Sequence, residues 1–191
     1  MEKIRWGIIG PGNIANNFAD GLKGSYSGQL VSIASKSEDR RKTFGDKYDI
    51  HPDFRFGSYE DIINSEHIDA IYISTPHTLH AEWTIKAAGK GKHILCEKPG
   101  AINFNEGKKI IDAVREAGVF YMEGFMYRCH PQIPKLVEII KSKMIGDIIS
   151  IETSFGFDMG KTIPDHRLFN KNLAGGGILD VGLYPISFSR L

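Results

Sequence analysis

Between Ile4 and Ala15 the chain passes from a six-residue apolar run, Ile4–Ile9, straight into Gly10-Pro11-Gly12-Asn13-Ile14-Ala15. A strand, a glycine-rich turn and a helix start in immediate succession leave few folds open, because the strand must lie in a sheet that the next segment covers as a helix. The first amides of such a helix lack intrahelical acceptors and carry partial positive charge, so they attract a diphosphate. Gly10 permits the tight turn, Gly12 lets the backbone approach the phosphates, and Ala15 keeps helix and strand close, with Asn13 and Ile14 in the same turn. By itself the pattern G-x-G-x-x-A also describes an ordinary strand-to-helix turn. Its context favours dinucleotide binding: a helix from Asn13 to about Lys23, then a second apolar strand.

The first two-thirds of the chain alternates strand and helix. Apolar runs predict strands at Ile4–Ile9, Leu30–Ser35, Phe54–Phe56, Ala70–Ser74, His93–Cys96 and Val119–Glu123. Helices are predicted between them at Asn13–Lys23, Glu38–Tyr48, Tyr59–Asn64, Thr78–Lys90 and Phe104–Ala117. Ser58 and Asn103 each stand three residues before a carboxylate, Asp61 and Glu106, a helix-start signature. Strands of nearly continuous Ile, Val and Ala separated by helices imply a parallel sheet covered on both faces. The fold class expected is therefore α/β, a doubly wound Rossmann sheet over residues 1–124.

After Gly124 the pattern changes. Pro131 suits the first turn of a helix running to about Met144. Ile149, Ile151, Thr153, Phe155 and Phe157 alternate with polar or small residues, which predicts a strand with one wet face. Gly175-Gly176-Gly177 then leads into an apolar helix from Ile178. One strand makes no stable sheet, since about three strands or a covering helix are needed. Residues 125–191 therefore read as the incomplete beginning of an α+β open-sheet domain.

The 191 residues carry 24 basic and 23 acidic side chains, a formal net charge of +1, so no basic field invites nucleic acid. No stretch approaches the ~20 apolar residues of a membrane helix. The N-terminus enters its first strand too early for a signal peptide. Cys96 and Cys129 form no framework. The expectation is a cytoplasmic, reduced protein with a small-molecule ligand and no membrane partner.

In an open parallel sheet, ligands bind beyond the carboxyl ends of the strands, where the strand order reverses. Four such ends hold unusual residues here: Gly10–Ala15, then Ser35-Lys36-Ser37, then Ser74-Thr75-Pro76-His77, then Glu97-Lys98-Pro99. An NAD site wants an acid at the second position, about 20 residues past the glycines. This chain has Ser35, Lys36 and Ser37 there, with Arg40 a turn later, which suits a 2′-phosphate and favours NADP over NAD. The alternative is that Lys36–Lys42 is simply a solvated helix start. Together with His80 and Glu97, these residues form the expected cofactor set. Lys98, held by Pro99, is either part of a surface turn or a cation for a substrate hydroxyl. Asp180 and Tyr184 lie four apart, so both project from one helix face. A phenol with an ordinary pKa near ~10 needs a cation such as Lys98 close by to act as a base. On spacing alone, a capped helix with Tyr184 in the core is the simpler reading. His77 and His80 have no Cys, Asp or further His beside them in sequence, only Glu82, and no metal site is expected.

Taken together, Gly7–Ala15, Ile73-Ser74-Thr75-Pro76-His77, Ala87–Pro99 and the glycine run leading to Asp180 and Tyr184 resemble the Gfo/Idh/MocA oxidoreductases. Met122–Pro131 looks like the branch that contains trans-dihydrodiol and NADP-dependent D-xylose dehydrogenases. The resemblance implies a Rossmann domain followed by an open-sheet domain that often forms a dimer face, so a homodimer or higher oligomer is expected. It implies reversible hydride transfer between NADP(H) and a carbinol carbon of a sugar, polyol or trans-diol. In that analogy Lys98 binds the reacting oxygen, Tyr184 exchanges the proton where many members use His, and Asp180 orients the substrate. Phe157 and Arg167 line the pocket, and the Lys98–Pro99 peptide is often cis. Family members usually run well beyond one domain of ~100–150 residues. This chain would then lack most of the open sheet and leave the strand at Ile149–Phe157 with a bare edge. The alternative reading is a catalytically inactive dinucleotide-binding fragment or regulator on the same fold.

Overall fold

The computed structural model describes residues 2–161 and 163–191, which form two compact units, Met1–Glu123 and Gly124–Leu191. The first contains β1 (Ile4–Ile9), α1 (Asn13–Lys23), β2 (Gly28–Ala34), α2 (Glu38–Lys47), β3 (Arg55–Phe56), α3 (Tyr59–Asn64), β4 (Ala70–Ile73), α4 (His80–Ala88), β5 (His93–Cys96), α5 (Phe104–Ala117) and β6 (Tyr121–Glu123). The six strands form one sheet in the order β3-β2-β1-β4-β5-β6, and every neighbouring pair is parallel. This is the doubly wound order expected for a Rossmann domain.

Alternation along the strands assigns the two faces. Ile8, Ile33 and Tyr72 pack with Ala15 and Ala19 of α1 and Phe44 of α2. Ile9, Ile71, Ile73, Ile94 and Cys96 pack with Ile62 of α3, Trp83 and Ala87 of α4 and Ile110 of α5. Each fully buried isoleucine contributes about 1.5–3 kcal/mol. The predicted caps form: Ser58 accepts from Asp61 N at 3.1 Å and Asn103 from Glu106 N at 3.0 Å. Helix α5 ends on Gly118 at φ 64°, the left-handed stop that glycine adopts readily. Boundaries move by a few residues. The helix expected from Thr78 opens instead with a 3-10 turn, His77–Leu79, that follows Pro76.

In the second unit, α6 (Gln132–Lys141) starts behind Pro131, and a π-helical turn, Ile178–Gly182, runs into α7 (Leu183–Phe188). The strand expected at Ile149–Phe157 does not form: the segment has no regular structure, and Ile149 is 93% exposed. Alternation reports a preference, but a strand exists only through a ladder partner. Among the described residues this unit has no strand. Phe155 instead turns its ring onto Tyr184, with centroids 5.2 Å apart.

Candidate functional site

The order of the sheet reverses between β1 and β4, and the chain is tightest there. Gly10 has φ +85°, and a Cβ on it would lie 3.1 Å from Ser74 O and Thr75 N. Ser74 Oγ donates to Gly10 O at 2.8 Å, tying the two strand ends together. Gly12 is the opposite case: a Cβ there meets nothing within 4 Å. Gly12 caps α1 without a side-chain acceptor, and the first turn of α1 has no acidic residue. Helices α2, α3 and α5 are all capped by side chains, from Ser37, Ser58 and Asn103. The amides of α1 thus open onto free space, as an anion requires. Asn16 braces the turn, donating from Nδ2 to Gly12 O (3.1 Å) and accepting from Tyr48 Oη (2.9 Å). Thr75 Oγ1 is buried beside this crevice without a hydrogen bond among the described residues.

At the end of β2, Ser35 is buried and its Oγ accepts from Ser37 N at 3.2 Å. Ser37 Oγ accepts from Arg40 N, and Arg41 Nη1 donates to Ser35 O at 2.7 Å. Lys36 Nζ lies 5.7 Å from the Tyr59 ring centre. Burial raises the Tyr59 pKa and the charge of Arg40 opposes that rise, which places Arg40 in the same neighbourhood. Lys36, Ser37 and Arg40 are therefore brought together, with no carboxylate among these partners.

At the ends of β4 and β5, His77 is mostly buried, whereas His80 has no exposed surface. His80 Nδ1 and Nε2 lie 2.7 Å from Pro99 O and Thr75 O, respectively. His80, expected as a cofactor contact, thus ties Pro99 and Thr75 together through its two ring nitrogens. The Lys98–Pro99 peptide is cis, as the resemblance implied. Glu97 Oε1 accepts from Tyr72 Oη at 2.5 Å, and Glu123 Oε1 accepts from Gly100 N at 2.8 Å. Burial pushes the Cys96 thiol up to about 12, so it stays protonated and inert.

In the second unit, Asp180 is buried and Arg167 Nη1 reaches within 3.7 Å of its Oδ1. Two residues expected at the substrate are thus paired. Tyr184 lies among Phe125, Tyr127 and Phe155, at ring-centre distances of 5.6, 6.2 and 5.2 Å. Asp180 lies in the π-helical turn and Tyr184 in α7, so the regular helix face assumed from their spacing is replaced by a π-to-α junction. Phe157 is 57% exposed.

Sequence reasoning did not single out Asn16, Tyr72 and Glu123. Glu123 ends β6 and follows the same strand-end rule as the others. A tyrosine inside a buried strand signals a partner for its hydroxyl. Among the described residues, no three His, Cys, Asp or Glu side chains gather as a metal site, and no helix is long and apolar enough to cross a membrane.

Residues 4–125 match the Gfo/Idh/MocA model, described as an oxidoreductase family with an NAD-binding Rossmann fold. D-xylose 1-dehydrogenase (NADP(+)) 2 of Haloferax volcanii is 35% identical over 188 residues, 98% of this chain and 57% of that protein. Trans-1,2-dihydrobenzene-1,2-diol dehydrogenase of Mus musculus is 35% identical over 187 residues, 97% of this chain and 55% of that protein. The crystal structure of aldose-aldose oxidoreductase from Caulobacter crescentus with glycerol superposes with a TM-score of 0.91 at 27% identity, covering 99% of this chain and 57% of that one. The chain spans about half the length of the curated relatives it matches.

Proposed function

The chain belongs to the Gfo/Idh/MocA oxidoreductase family, and from that premise we propose that it serves an NADP-dependent dehydrogenase acting on a CH–OH group of a sugar, polyol or trans-diol. The observation that carries this reading is the uncapped, acid-free start of α1 opening onto free space at Gly12, beside the Lys36–Arg40 cluster. The names of two relatives, a D-xylose dehydrogenase that uses NADP and a dihydrodiol dehydrogenase, support the substrate class. Residues 1–124 are the dinucleotide-binding domain and 125–191 belong to a domain for substrate and dimer contacts.

The first-turn amides from Asn13 to Ala15 hold the diphosphate, and Ser35, Lys36, Ser37 and Arg40 hold the 2′-phosphate. The bound coenzyme supplies the hydride chemistry. Lys98 binds the reacting oxygen through its ammonium, Tyr184 Oη exchanges that oxygen's proton, and Asp180 orients the substrate with Arg167 and Phe157 at its pocket. The protein works in the cytoplasm as a homodimer or higher oligomer.

Titration of tryptophan emission with NADPH and NADH, followed by oxidation assays on D-xylose, other sugars and trans-diols, tests the reading. Tighter binding of NADPH and turnover of one of these substrates are expected. Failure of both coenzymes to bind overturns it, and tight binding without turnover points to a regulator instead.

A further inference from the structure

Tyr72 carries a phenol in the apolar face of the sheet that α1 covers and that holds Ile8 and Ile33, and it is 2% exposed. It stands opposite Leu95 across the β4–β5 pair. Glu97, two residues past Leu95, extends from the same face and is the diagonal neighbour a long side chain reaches. The ring is clamped, stacked on Phe18 of α1 at 4.2 Å and 23°, with Phe18 set edge-on against Trp6 at 5.1 Å. Its hydroxyl therefore has one direction available, and it meets Glu97 Oε1 at 2.5 Å. Burial, together with the Glu97 charge, holds the phenol's pKa well above its ordinary value, so the group stays a donor throughout the neutral range.

Packing does not explain this phenol. Phenylalanine fills the same slot, and a hydroxyl in an apolar layer costs free energy unless it is bonded. The hydroxyl's partner is a carboxylate at the sheet edge, one residue before Lys98. The adenosine end of a dinucleotide lies at β2, so the nicotinamide end lies toward β4 and β5. Resting on the coenzyme reading above, we propose that Tyr72 is a positioning residue for the nicotinamide end. Its phenol holds the Glu97 carboxylate by one oxygen and leaves the second to accept from the nicotinamide ribose or carboxamide.

The test compares two ligands, NADPH and 2′,5′-ADP, the second lacking the nicotinamide half. Affinities are measured for the wild type, Tyr72→Phe, Glu97→Gln and the double variant. Tyr72→Phe keeps the stacked ring and removes a hydrogen bond to a charged group, so NADPH binding weakens about tenfold. Binding of 2′,5′-ADP stays within about twofold, because no contact on the adenosine side changes. The double variant binds NADPH no more weakly than Glu97→Gln alone, since Tyr72 acts through that carboxylate. Equal losses for both ligands, no loss at all, or fully additive losses overturn the proposal. If the wild type binds neither ligand, the coenzyme reading itself falls, and this one with it. Thermal melts confirm folding of each variant, and Glu97→Gln leaves the buried ring untouched should Tyr72→Phe be unstable.

Discussion

Gly10 and Gly12 are two residues apart, and alanine at each position has opposite consequences. At Gly10 the backbone has φ +85°, where a Cβ costs about 1–2 kcal/mol. That Cβ would also lie 3.1 Å from the backbone where β4 ends, so Gly10→Ala forces apart strands that Ser74 ties together. A total loss of about 2–3 kcal/mol lowers the melting temperature of the first unit by roughly 10 °C. At Gly12, φ is −101° and a Cβ meets nothing within 4 Å. There, reduced entropy of the unfolded chain stabilises by about 0.4–1 kcal/mol, while alanine's poorer capping costs about the same. The Gly12→Ala variant should therefore melt within a few degrees of wild type. Its Cβ nevertheless occupies the space through which a diphosphate reaches the α1 amides, and NADPH binding should weaken at least tenfold, about 1.4 kcal/mol. Differential scanning fluorimetry and NADPH titration on the two variants separate these effects. A Gly12→Ala protein that binds NADPH like wild type would falsify the cradle, whatever Gly10→Ala does.

Lys98→Ala should leave NADPH affinity within about twofold and abolish turnover in the oxidation assay, because in the proposed function its ammonium serves the reacting oxygen and not the diphosphate; retained turnover removes it from the reaction. Arg40→Ala should weaken NADPH by about tenfold and leave NADH unchanged, the cost of one charge-assisted contact to a 2′-phosphate, and equal losses on both coenzymes would move Arg40 out of that subsite. The Arg5 guanidinium donates to both oxygens of Asp69, at 3.0 and 2.6 Å, and holds that carboxyl below the ordinary carboxylate range. A depressed folded pKa stabilises fully above the unfolded value near ~3.9 and loses that stabilisation as pH falls through the lower folded one. Urea midpoints recorded from pH 5 to pH 2 should thus fall less steeply for Asp69→Asn than for wild type, and identical slopes would refute the linkage.

The doubly wound sheet was legible because strands buried on both faces appear as apolar runs, as Ile71 and Ile73 do, and because Ser58 and Asn103 mark helix starts. The crevice was legible because its polar residues sit at strand ends, where the topology collects them. Other residues depend on contacts that only the folded chain creates. The two carbonyls that meet the His80 ring, from Thr75 and Pro99, come from loops that only the fold brings together. Tyr72 lies unremarked within the run Ala70–Ser74, because its partner, Glu97, is 25 residues away. At Ile149–Phe157 the periodicity of a strand was read correctly as a pattern and wrongly as an element, since the described residues of that unit offer no neighbouring strand to complete it.

The bond from Ser74 to the Gly10 carbonyl spans 64 residues. A nascent chain has therefore synthesised the segment of its glycine turn and first helix well before the strand that seals them has been translated. At roughly 5–20 residues per second, several seconds separate the two events. During that interval the turn is a local motif with no wall behind it, and coenzyme can stabilise the chain only after the second of the two central strands has left the ribosome.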